Sequence, residues 1–141
     1  MSRTRTALVV DDEDQLLRLM TRVLERAGHR VYAAATGDAA RRLFREHEPE
    51  VVLLDVTMPD GDGAERLLPE FLAERPELRV ILTSGAALPE SLEVLLGRIG
   101  GDFLCKPFSP RSLLQLLDGD AAKAGPLAPP SRPGLAGPGG R

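Results

Sequence analysis

The chain has 141 residues and a net charge of −3, with 43% hydrophobic and 28% charged residues. This suits one soluble domain plus a little extra, with enough apolar residues for a core. It offers no basic surface for nucleic acid or an anionic membrane. One cysteine, Cys105, excludes an internal disulfide and argues against a small secreted, cysteine-rich fold.

The apolar run at residues 7–10 predicts a strand buried on both faces. It is too short for a signal-peptide core or a membrane span, so a cytoplasmic location is expected. Leu16, Leu19, Met20, Val23, Leu24 and Ala27 recur at helical spacing, and Gly28 stands where a C-cap glycine belongs. Residues 31–34 predict a second strand. Ala40, Leu43, Phe44 and His47 mark a second helix that starts near Gly37 and Asp38. Residues 51–54 predict a third, wholly apolar strand that stops at Asp55. The turn Met58-Pro59-Asp60-Gly61-Asp62-Gly63 follows. Residues 64–74 read as a helix, but Pro69 inside it removes a backbone donor, so a kink or break is expected there. Residues 80–83 form strand four, residues 90–99 a helix ended by glycines, and residues 102–105 strand five. Ser109-Pro110 is an N-cap with a first-turn proline, opening a helix through Leu117.

Five strands alternating with five helices predict a five-stranded parallel sheet with helices on both faces, a flavodoxin-like doubly wound (βα)5 fold. The expected domain covers residues 1–119. Of the 22 residues from Asp120 to Arg141, 15 are Gly, Pro or Ala, so residues 120–141 are expected to be a disordered tail or linker.

Ligands of such sheets bind outside the carboxyl ends of the strands. Strand one ends in Asp11-Asp12, strand three in Asp55, strand four in Thr83-Ser84-Gly85, and strand five in Cys105-Lys106-Pro107-Phe108. Carboxylates gathered there would repel one another, which a divalent cation relieves. An all-oxygen ligand set suits Mg²⁺ or Mn²⁺. A carboxylate can also serve as a nucleophile toward phosphorus, with Lys106 placed to neutralise phosphoryl charge. Ser84 or Thr83 could supply a hydroxyl donor to the bound group.

Four segments carry a resemblance: Leu8-Val9-Val10-Asp11-Asp12-Glu13, Leu53-Leu54-Asp55 running through Met58-Pro59-Asp60-Gly61-Asp62-Gly63, Leu82-Thr83-Ser84-Gly85, and Phe103-Leu104-Cys105-Lys106-Pro107-Phe108. In order, each after a strand, they resemble the receiver domain of two-component response regulators. The resemblance implies that Asp55 is the phospho-acceptor, taking a phosphoryl group from a histidine kinase or a histidine phosphotransfer protein. It implies Mg²⁺ held by Asp12 and Asp55, with Asp11 assisting and the Thr57 carbonyl completing the protein ligands. Lys106 would bind phosphate, and Lys106-Pro107 would be cis. The spacing back from Lys106 favours Ser84 over Thr83 as the switch hydroxyl, and Phe103 would be the aromatic coupled to it. The face of helix four, strand five and helix five would meet a downstream protein, and the domain could also pair with a second copy in a homodimer. The role is then regulatory, with the domain supporting its own phosphorylation and autodephosphorylation, rather than enzymatic.

The alternative is an aspartyl-phosphate phosphohydrolase of haloacid-dehalogenase type, which needs an acidic residue where Thr57 stands. A flavodoxin-like cofactor binder is disfavoured, because the loop after strand one is acidic and would repel phosphate. Cys105 reads as a small buried hydrophobe. His29 and His47 read as surface or helix-end residues, and the pairs Arg41-Arg42 and Glu46/Glu48 as a solvated helix face.

Overall fold

The computed structural model describes residues 4–118, together with the short pairing of Leu135–Gly137 with Gly139–Gly140. The rest of the expected tail lies outside the described residues. Five strands, β1 (Thr6–Val10), β2 (Arg30–Ala34), β3 (Val51–Asp55), β4 (Arg79–Ser84) and β5 (Asp102–Cys105), alternate with five helices. These are α1 (Asp14–Arg26), α2 (Gly37–His47), α3 (Ala64–Glu74), α4 (Glu90–Ile99) and α5 (Pro110–Leu117). The strands form one parallel sheet in the order β2-β1-β3-β4-β5. This is the expected doubly wound architecture.

β3 lies at the centre of the sheet, and all five of its residues are buried. Its alternating side chains feed two separate cores. Val52 and Leu54 join Leu8, Val10, Val80 and Leu82 beneath α2, α3 and α4, while Val51 and Leu53 join Ala7, Val9 and Ile81 beneath α1 and α5. A strand apolar on both faces demands cover on both faces, and each buried Leu or Val contributes about 1.5–3 kcal/mol of transfer free energy. The helix ends follow local chemistry. The Thr36 and Ser109 side chains accept from the amides of Ala39 and Ser112. Gly28, at φ +97°, closes α1, its amide bonding to the Glu25 carbonyl and that of His29 to the Leu24 carbonyl.

Three expectations are corrected. The break expected at Pro69 does not occur, and α3 continues through it. The proline faces solvent, where water can satisfy the freed Glu65 carbonyl, and the burial of Leu67, Leu68 and Phe71 offsets a cost of about 3 kcal/mol. Cys105 is exposed rather than buried, because β5 is an edge strand and ends there. His29 does follow a helix end, but it is 6% exposed, and its Nδ1 accepts a hydrogen bond from the Arg5 amide at 3.1 Å. No helix among the described residues is long and apolar enough to cross a membrane.

Candidate functional site

Because all five strands are parallel, their carboxyl ends share one edge. β1 delivers Asp11, which is fully buried, and the exposed Asp12. β3 delivers Asp55, 5% exposed. One carboxylate oxygen from each of Asp11, Asp12 and Asp55 lies within 4.8 Å of the others. Lys106, in the turn after β5, places Nζ 2.9 Å from Asp11 Oδ2 and 3.4 Å from Asp55 Oδ1. Asp55 Oδ1 also accepts from the Thr57 amide at 3.4 Å, and Asp11 Oδ1 from the Glu13 amide at 2.9 Å.

Three carboxylates face one ammonium group. Burial, followed by the charge of Asp11, pushes the Asp55 carboxyl up to about 6, against the opposing pull of Lys106 and the Thr57 amide. Burial alone would lower the Lys106 ammonium, but Asp11 and Asp55 outweigh it and hold its pKa above the usual lysine range. Lys106 is therefore a fixed positive charge at neutral pH.

The donor set fits a hard divalent cation. It is all oxygen, and it carries surplus negative charge. Asp11 Oδ2 is buried, touches Lys106 only as an ion pair, and has no aligned hydrogen bond, which leaves a lone pair free for coordination.

The remaining expected residues lie around this centre. Thr83, 1% exposed, pairs in register with Asp55, and its carbonyl accepts from the Val56 amide. Ser84, 6% exposed, is tied to the lysine turn, its carbonyl accepting from the Lys106 amide at 2.8 Å. The Ser84 hydroxyl accepts from the Ala86 amide. Half-buried Phe103 packs on the core beneath α2, α3 and α4, in register with Leu82. The Lys106-Pro107 peptide is cis.

Sequence reasoning misjudged Arg41. It is not a solvated residue: its side chain is 20% exposed and forked between Asp62 and Glu70. The available signal was helical spacing, since Arg41 lies one turn from Gly37 and Phe44, both on the covered side of α2. Its neighbour Arg42 is exposed, facing Glu46 at 3.7 Å, as expected.

Comparison with known proteins agrees with the fold described above. Residues 7–118 match the response regulator receiver domain family. The chain is 36% identical over 104 residues to the probable transcriptional regulatory protein TcrX of Mycobacterium tuberculosis, spanning 74% of this chain and 44% of TcrX. It is 35% identical over 111 residues to the transcriptional regulatory protein CssR of Bacillus subtilis, spanning 77% of this chain and 48% of CssR. The chain thus spans less than half the length of these curated relatives. Among solved structures, a CheY-like receiver domain protein from Methanospirillum hungatei superposes with a TM-score of 0.75 at 27% identity, over 86% of this chain and 98% of that one.

The chain belongs to the response regulator receiver family: it is a receiver domain of two-component signalling. The phosphohydrolase alternative finds no support in these relationships.

Proposed function

We propose that Asp55 is the phospho-acceptor of this receiver and that Asp11, Asp12 and Asp55, with the Thr57 carbonyl, hold Mg²⁺ (or Mn²⁺) beside it. The observation that carries this is the juxtaposition of one buried nucleophilic carboxylate, two further carboxylates and a paired lysine at one sheet edge. When bound, the cation supplies positive charge for the phosphoryl oxygens and relieves the repulsion among the carboxylates.

The protein's own groups do the rest. Asp55 is ionised above about pH 6, and its oxygen attacks phosphorus of a phosphohistidine on a histidine kinase or phosphotransfer protein. The P–O bond forms as the P–N bond breaks, and the imidazole leaves with the electron pair and takes up a proton. Lys106, already ionised, meets one phosphoryl oxygen as it leaves Asp55. Ser84 donates its hydroxyl to another, giving up the Ala86 amide. Phe103 then turns inward, reshaping the face of α4, β5 and α5 that a downstream protein reads. Attack of water on the acyl phosphate resets the switch. The cytoplasm, where such donors act, is the proposed location.

The test is incubation of the full chain with acetyl phosphate and Mg²⁺, followed by intact-mass analysis and peptide mapping. One phosphoryl group on Asp55 is the expected product, absent in Asp55→Asn or with excess chelator. Equal labelling of Asp55→Asn would sink the assignment.

A further inference from the structure

Arg41 has five N–H donors, and all five are used. Nε donates to Glu70 Oε1 at 2.8 Å; one terminal nitrogen donates to Asp62 Oδ2 at 2.8 Å and Asp38 Oδ1 at 3.2 Å; the other donates to Glu70 Oε2 at 3.0 Å and Asp62 Oδ1 at 3.2 Å. These acceptors come from α2 itself, from the loop between β3 and α3, and from α3. Two-point Arg–carboxylate contacts fix orientation as well as distance.

The loop held in this way is the one that leaves Asp55. Its first amide, on Val56, bonds to the Thr83 carbonyl, and its second, on Thr57, bonds to Asp55. Its far end is pressed against α2: Asp60 Oδ2 accepts from the Gly37 amide at 3.2 Å, and a Cβ on Gly37 would collide with the Asp62 side chain. It also folds back on itself, because a Cβ on Gly63 would collide with the Val56 carbonyl. Without Arg41, the Asp62 and Glu70 carboxylates would face each other, with only the exposed Arg66, among the described residues, near Asp62 at 3.4 Å.

We propose that Arg41 is a positioning residue for the phospho-acceptor site, clamping residues 56–63 so that Thr57 stays beside Asp55 and its carbonyl keeps its place toward the cation. This rests on the metal-assisted reading above. Arg41 touches no reacting group; it acts through the loop.

The test is Mg²⁺ titration of the full chain by calorimetry, with amide hydrogen exchange of residues 56–63 in parallel. Arg41→Gln is expected to weaken Mg²⁺ binding about tenfold, the lower end for residues that orient metal ligands, and to speed exchange in the loop. Arg41→Lys, a point charge without the fork, should fall between Arg41→Gln and the wild type, and Arg42→Gln should match the wild type. If Arg41→Gln does not fold, Glu70→Gln removes one two-point contact and should weaken binding by more than about twofold but less than the roughly tenfold expected for Arg41→Gln. Mg²⁺ affinity within about twofold of wild type in the folded variant, or equal weakening by Arg42→Gln, overturns the inference. A wild-type chain that binds no Mg²⁺ would instead overturn the functional reading on which the inference rests.

Discussion

Replacing Asp55 with Asn removes one carboxylate charge from the candidate site while keeping its shape, and burial gives that charge a cost. The folded carboxyl sits near 6 against an ordinary 3.8. A raised acid favours the folded state while it is protonated; that contribution is fully present below about pH 4 and is lost as pH rises through about 6. The ceiling on the loss is roughly 3 kcal/mol, from about two pH units at about 1.4 kcal/mol each. Asp55 lies at a rim shared with exposed Asp12, so about 2 kcal/mol is expected after solvent screening.

Asp55→Asn should therefore equal the wild type in stability at pH 4 and exceed it by about 2 kcal/mol at pH 7.5. Urea unfolding followed by circular dichroism, with chelator present, measures the difference at each pH. The difference between the two proteins is the quantity to follow, because other carboxylates titrate in both. Asp62 and Glu70, held low by Arg41, are examples. Added Mg²⁺ should narrow the gap if, as proposed, it binds the folded wild type and so stabilises it by mass action. A variant no more stable than wild type at pH 7.5, or a gap independent of pH, would refute the electrostatic account of the site.

Lys106→Ala leaves Asp11 and Asp55 without their cation; a loss of about 3 kcal/mol at pH 7.5, the lower end for a broken buried pair, and near-complete loss of acetyl phosphate labelling are expected in the same two assays. Ser84→Ala should still be labelled but should fail to change amide exchange in α4 and β5 on phosphorylation, whereas Thr83→Val should respond normally; the reverse result would transfer the switch role to Thr83. Gly63→Ala forces a methyl against the Val56 carbonyl and should cost about 1–3 kcal/mol by urea unfolding while slowing labelling.

Most of the site was legible in the sequence because its grammar is one-dimensional. A run such as Val51-Val52-Leu53-Leu54 can be buried only in a sheet covered on both faces. Parallel strands must then present their ends, and so Asp11, Asp12, Asp55 and Lys106, at one edge. The N-cap at Ser109 and the glycine closing α1 act within a few residues of themselves, so the tertiary fold had little say in them.

What required the tertiary structure involved partners distant in the chain. His29 is buried because β1 runs beside it and the Arg5 amide needs an acceptor. Cys105 is exposed because strand order places β5 at an edge. Pro69 is accommodated because the side of α3 that loses a hydrogen bond is the side that meets water. Arg41 is tied down by carboxylates 21 and 29 residues away. A charge on a helix reads as solvated until the fold shows which acids face it. Periodicity reports how a segment presents its apolar face, whereas the pairing of polar groups depends on which segments the chain brings together.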